Sequence, residues 1–265
     1  MTEKTEMERK MSIEKERSGQ QGKLRLNKYL AQAGLCSRRQ ADVLIAEGKV
    51  FVNGAPAQPG TQVGPSDQVV IGGKAVQNSQ EKVLLAFYKP VGVTCTEKDR
   101  FADKKVLDYV KGRTRVTYAG RLDKDSEGLM LLTNDGDLIH ALMKGSHAHE
   151  KEYVVKVKEQ LQEDFLERLR EGVYLKDLDR TTRPCKVQMA GKYTFRIILT
   201  QGMNRQIRRM CEACGYHVKA LKRVRIMNIT LGELLPGQSR KLTKEESVQL
   251  YRSVGMAPPA QFLGE

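Results

Sequence analysis

Six short apolar runs between residues 84 and 232 do most to limit what this chain can fold into: LLAFYKP, RVTYAGRLD, GLMLLTND, KEYVVKVKE, YTFRIILT and RVRIMNITLG. They are short and bounded by turn formers, so each reads as a strand. Helices are predicted between them at 104–111, 135–144, 160–171 and 203–214. Strands outnumber helices and do not alternate with them regularly. The predicted class is therefore α+β, with a central mostly antiparallel or mixed sheet flanked by helices and loops, rather than a doubly wound parallel sheet.

The stretch before those runs follows another plan. In LRLNKYLAQAGLCSRRQADVLIAEGKVFVNG (24–54), Leu26, Tyr29, Leu30 and Ala33 keep helical spacing, and Gly34 ends the turn. Ser37 is placed to cap a second helix closed by Gly48. Val50, Phe51 and Val52 make a short strand, and Asn53-Gly54 is a hairpin turn signal. QVVIGG, near residue 70, supplies another strand. The predicted organisation is a disordered tail over 1–22, a small domain over 23–73, a polar linker over 74–82, a larger domain over 83–249 and a loose segment over 250–265, where Pro258-Pro259 lies.

Lys and Arg outnumber Asp and Glu by 46 to 32, a net charge of +14. The first 22 residues are balanced in charge, so the excess belongs to the folded part. Such an excess suits a polyanion, nucleic acid first. An anionic membrane fits less well, because no long basic amphipathic helix stands out. In the small domain Arg25, Lys28, Arg38, Arg39 and Lys49 meet only Asp42 and Glu47. Ser37-Arg38-Arg39 at a helix start would bring free amides and two cations together, an arrangement suited to phosphate. The five cysteines are odd in number and scattered, which argues against a disulfide framework. With no apolar signal core and no apolar run near ~18 residues, the expected location is the cytoplasm.

GRLDKDSEGLMLLTNDG (120–136) begins as a calcium loop begins. Counted from Asp123, however, the fifth position is Glu127 and the twelfth is Asn134, which cannot supply the bidentate carboxylate. A glycosidase-like pair would need carboxyls about 5 to 9 Å apart on opposite sides of a sugar. Asp123 and Asp125 lie two residues apart, and nothing else nominates a partner. The remaining reading is one carboxylate, aimed at a sugar carbon and held ionised by a distant cation. TQGMNRQIRRMCEACGYHVKALKRVRIMN (200–228) offers that cation: seven Arg and Lys side chains oppose Glu212 alone. On a helix Arg205, Arg208 and Arg209 would share one face. Cys211 and Cys214 have zinc-like spacing, but no second pair completes four ligands, and His140, His147, His149 and His217 form no set. No metal site is predicted.

The motifs of the first domain resemble the S4 RNA-binding domain. GRLD, KEY and QIR, together with YKPVGVTCT, HEKEYVV, TRPCKV and LTQGMNRQIRRMCEACGYHV, resemble the pseudouridine synthases of ribosomal RNA. The branch is the one named after enzyme A of the small ribosomal subunit, and the F type, which acts on the large one, is nearest. The resemblance spans residue 24 to about 245. It implies the pseudouridine synthase fold behind the S4 domain, no cofactor, a monomer, and an RNA partner, most naturally a 23S rRNA stem-loop, with 16S rRNA or tRNA as alternatives. It implies that Asp123 is the essential aspartate, that Tyr153 stacks on the target base and that Arg208 pairs with the aspartate. It also implies that Ile207 lines the base pocket and that Arg121 helps fill the space of the extruded base. Arg205 stands where many relatives carry His, a change the F type shares. Arg205 and Arg209 join Arg25, Lys28, Ser37, Arg38, Arg39 and Lys49 as expected RNA contacts. Whether Asp123 would attack C1′, attack the base or remove a sugar proton is left open by these residues. The rival reading is a non-catalytic ribosome-assembly factor with an S4 head.

Overall fold

The computed structural model describes residues 22–77, 81–96, 103–110, 112, 114–144 and 149–264. The tail predicted over the first residues lies outside these, apart from Gly22. The chain divides into two compact units, one ending at Glu81 and the other starting at Lys82.

The first unit packs β1 (Leu24–Arg25), α1 (Leu26–Gln32), α2 (Arg38–Ala46), β2 (Val50–Val52), β3 (Ala55–Pro56), β4 (Gln62–Val63), β5 (Val69–Ile71) and β6 (Lys74–Ala75). Leu26, Leu30, Ala41, Ile45, Val50 and Val69 form its core. Ser37 caps α2, accepting from the Gln40 amide while Gln40 accepts from the Ser37 amide. Asn53 and Gly54 both take positive φ, +51° and +82°, as a tight two-residue hairpin turn requires. The predicted linker is corrected in part. Lys74–Ala75 pairs with β5 as the edge of a four-stranded sheet, and Val76 packs on the core.

The second unit is built on one sheet, nine-stranded among the described residues. In chain order its elements are β7 (Leu84–Lys89), β8 (Thr117–Tyr118), β9 (Glu127–Thr133), α3 (Gly136–Met143), β10 (Lys151–Val157), α4 (Glu163–Glu171), β11 (Tyr174–Leu175), β12 (Arg180–Thr181), β13 (Lys186–Gly191), β14 (Thr194–Leu199), α5 (Gln206–Ala213), β15 (Val218–Ile226), β16 (Ile229–Thr230), β17 (Ser239–Lys241) and α6 (Lys244–Ser253). The sheet order is β13-β14-β10-β15-β9-β7-β17, with β16 on β15 and β8 on β9, while β11 and β12 pair separately. All pairings are antiparallel except β9 with β15. The fold is α+β with a mixed, mostly antiparallel sheet.

GLMLLT reads as a continuous apolar run because β9 is covered on both faces. Leu129 and Leu131 join one core with α3 and α6, and Met130 and Leu132 join another with Phe87, Val93 and Leu122. Three predicted helices shorten, to Gly136–Met143, Glu163–Glu171 and Gln206–Ala213, and 104–111 is reduced to a 3-10 turn at Val106–Tyr109. RVRIMNITLG is not one strand: Met227 takes φ +52° and the chain folds back as β16.

The predicted looseness from residue 250 onward does not hold. Thr243 caps α6, and Leu250, Tyr251 and Val254 are buried. The Tyr251 hydroxyl donates to Asp135 Oδ2 at 2.8 Å, and Gln261 exchanges two hydrogen bonds with the Lys82 backbone. A buried aromatic pays for this ordering where the two prolines alone suggest none.

Candidate active site

The loop between β8 and β9 carries Asp123, and the YKPVGVTC segment (88–95) pins it from beneath. Lys89 Nζ donates to the carbonyls of Ser126 at 2.7 Å and Pro90 at 2.9 Å. The Gly92 amide donates to the Lys124 carbonyl at 2.7 Å. Cys95 Sγ and the backbone of Leu122 bond reciprocally. The loop then closes on itself through the Ser126 amide and the Asp123 carbonyl at 3.1 Å. Lys89 is wholly buried. Burial pushes its pKa down, while Cys95 and the neighbouring carboxylates Asp125, Asp123 and Glu127 oppose that shift.

From the other side comes the start of α5, 80 residues further along the chain. Arg205 precedes the helix with φ +50°, a left-handed conformation uncommon for a side chain of this size. Its Nη1 and Nη2 donate to the two Asp125 oxygens at 3.2 and 2.9 Å, and Nη1 lies 3.7 Å from Asp123 Oδ2. Arg208 Nε stands 3.3 Å from Asp125 Oδ2. Arg208 Nη2 donates to the Asp125 carbonyl at 2.9 Å and to Ser126 Oγ at 3.4 Å, and Nη1 donates to the Val218 carbonyl. For Asp125 burial opposes ionisation, but the Arg205 hydrogen bonds and the charges of Arg208 and Arg205 outweigh it. Its carboxyl is held below the usual range. The Asp123 side chain keeps 34% of its surface exposed.

Two expectations are corrected. Arg208 and Asp123 come together at one loop, but the ion pair of Arg208 is with Asp125; the ion pair to Asp123 is made by Arg205. Arg208 is braced against Val218, and its reach ends at residues 125 and 126. The shared face of Arg205, Arg208 and Arg209 also divides. Because Arg205 lies outside the helix in a left-handed conformation, the helical spacing does not pass through it. Arg209 turns instead to Asp177 and the Asn204 carbonyl.

Tyr153 lies on β10, half-buried, and packs against both the core containing Leu122 and the core containing Ile207. Beside it the pairing with β15 slips: Glu152 faces Arg225 while Tyr153 faces Arg223. Such a bulge re-aims a side chain. Ile207 is a core residue at 4% exposure. Arg121 is exposed. In the first unit Arg25, Arg38, Arg39 and Lys49 are exposed and Lys28 is half-buried. The Ser37 hydroxyl is engaged in its cap, and the Gln40 amide is no longer free for phosphate.

Sequence reasoning missed Lys89, Asp125 as a partner for arginines, and Arg223. Arg223 is 3% exposed, and its Nε donates to the Leu129 carbonyl at 2.7 Å. A lysine before proline reads as an ordinary exposed turn, and an arginine in a basic run as a solvated one; neither carries a burial signal. The cysteines read as structural, since burial pushes Cys185 up to about 11 and Cys211 up to about 12. The arrangement is an accessible carboxylate on a pinned loop, beside two guanidinium groups. It suits attack or proton transfer at a sugar or base.

Comparison with known proteins places the chain in a family. Residues 83–213 match the RNA pseudouridylate synthase family, and residues 24–69 match the S4 domain. The chain is 44% identical to the dual-specificity RNA pseudouridine synthase RluF of Escherichia coli strain K12, over 87% of this chain and 79% of that protein. It is 39% identical to an uncharacterized RNA pseudouridine synthase of Mycobacterium tuberculosis strain H37Rv, over 93% of this chain and 100% of that one. A pseudouridylate synthase crystal structure superposes with a TM-score of 0.64 at 28% identity, covering 86% of this chain and 99% of the other. The chain belongs to the RNA pseudouridine synthases. Within them it falls in the branch named after enzyme A of the small ribosomal subunit and is RluF-like. It is an isomerase that acts on RNA. Among the described residues no helix is long and apolar enough to cross a membrane.

Proposed function

We propose that the enzyme converts one uridine of a 23S rRNA stem-loop to pseudouridine, acting through Asp123 on a flipped-out base and without a cofactor. The C1′–N1 bond breaks, the uracil turns, and C1′ joins C5; the C5 proton leaves and N1 gains one. A uridine stacked within a stem offers no path to its sugar carbon, so the nucleotide must swing out. The observation that carries this reading is the position of Asp123: on a pinned loop, one-third exposed, with one long ion-pair contact from Arg205. Arg208 steadies the loop beside it, Tyr153 offers a stacking face and a route for the C5 proton, and Ile207 backs the pocket. Arg121 is exposed where it can occupy the gap left in the RNA. The exposed cations of the S4 unit hold the stem. The same reading has the enzyme working as a monomer in the cytoplasm.

Purified Asp123→Asn should still bind RNA but release tritium from C5-labelled uridine RNA about 10²–10⁴-fold more slowly. Normal turnover in that variant would remove Asp123 from the mechanism. The designation of its relative RluF as dual-specificity favours a second RNA substrate, and tRNA is the one to test. Mapping pseudouridine in rRNA and tRNA from a deletion strain identifies the targets.

A further inference from the structure

Asp125 is the residue on which both guanidinium groups converge. Arg205 gives it two hydrogen bonds, at 3.2 and 2.9 Å. Arg208 contacts both its carboxylate, at 3.3 Å, and its carbonyl, at 2.9 Å. Among the described residues the Asp123 side chain, two residues earlier, receives a single contact, at 3.7 Å. The two arginines sit at the start of α5 and the two aspartates on a loop whose backbone is fixed by Lys89, Gly92 and Cys95, so a lost ion pair is answered by rotation of an arginine side chain and not by movement of the loop.

We infer that Asp125 is a positioning residue for the isomerisation: it holds Arg205 and Arg208 so that the Asp123 carboxylate stays open to the nucleotide. The inference rests on the reading of Asp123 as the acting carboxylate. The physical reason is competition. A guanidinium takes a carboxylate in a planar two-pronged grip when one is within reach. Asp125 occupies both prongs of Arg205. Without that charge the nearest carboxylate on the loop is Asp123, already 3.7 Å away. Arg205 would close on it, and Arg208 would be left without its only carboxylate partner among the described residues. The acting oxygen would then be covered, and the groups around it displaced.

The arrangement also assigns a use to the left-handed backbone at Arg205. In that conformation the side chain leaves the chain ahead of the helix, toward the loop, rather than along the helix face with Arg209. An exposed ion pair of this kind contributes little to stability, so its value lies in geometry.

The test is single-turnover tritium release from C5-labelled uridine RNA, with RNA affinity and thermal unfolding measured on the same preparations. Asp125→Asn should lower the maximum rate by about 10²-fold with little change in the RNA concentration needed for half-maximal rate. Asp125→Glu, which keeps the charge, should recover most of the loss. A folded Asp125→Asn with the wild-type rate overturns the inference. So does a loss confined to RNA affinity, and so does failure of both variants to fold, because Asp125 would then serve the fold itself. Asp123→Asn run alongside separates the two readings. If it turns over normally, the Asp123 assignment fails; if it is dead while Asp125→Asn is fully active, only the present inference fails.

Discussion

Glu152 shows how single side chains support the site without entering it. It accepts from Arg225 Nε at 2.9 Å and from Arg196 Nη1 at 2.8 Å, one position before Tyr153 and at the slip in the β10–β15 pairing. Burial opposes its charge, but the Arg225 and Arg196 hydrogen bonds outweigh it and hold the carboxyl below the usual glutamate value. A depressed carboxyl stabilises the fold fully above its unfolded pKa of about 4.3 and ceases to do so as pH falls through the folded value. Glu152→Gln should therefore cost about 1–3 kcal/mol at neutral pH. Its deficit against the wild type should shrink as acid protonates the wild-type residue. Thermal unfolding from pH 7 to about pH 3 measures this, and two parallel curves would show that Glu152 carries no such linkage. At this scale sequence reading was partial. Asp123 and Tyr153 were singled out through the resemblance of GRLD and KEY to the motifs of a known family. The partner of Arg208 was not, because two aspartates two residues apart are equivalent until the helix geometry chooses between them.

Among the elements, β9 and β15 approach each other closely at Gly128. Gly128 has φ +111°, and a Cβ there would lie 2.7 Å from the Arg223 amide nitrogen and closer still to its carbonyl oxygen. Gly128→Ala should cost about 1–3 kcal/mol for the backbone conformation and a similar amount for the clash. Chemical denaturation should show that loss as a lower midpoint; an unchanged midpoint would mean the strands part without penalty. In the sequence Gly128 is only the residue that opens the apolar run GLMLLTND. Strands covered on one or both faces were legible from their apolar runs, as was the Asn53-Gly54 hairpin from its turn chemistry. Polar β13 and β17 escaped, since sheet edges need no apolar pattern. The last helix escaped because its buried face is short and ends near two prolines. Strand order was out of reach altogether, because periodicity says which face is buried and nothing about which strand lies beside which.

Across the whole molecule, the charge of +14 makes RNA binding steeply salt-dependent, with the logarithm of affinity falling linearly against that of salt. Replacing Arg38 and Arg39 together with Gln should weaken binding at low salt and make that slope shallower by about one unit for each phosphate no longer neutralised. Filter binding across a salt series reads it directly; an unaltered slope would mean those two side chains meet no phosphate. The order of the large sheet has a consequence of another kind. β15 lies between β9 and β10 and is the piece that joins the β7–β9 side to the β10–β14–β13 side. It follows both of them in the chain. During synthesis the ribosome must deliver residues as far as Ile226 before either half can meet the other. Until then each presents a bare strand edge of the kind that recruits neighbouring chains. A message broken shortly upstream of Val218 therefore yields no weakened enzyme, only one shortened chain carrying two unjoined half-sheets prone to clump.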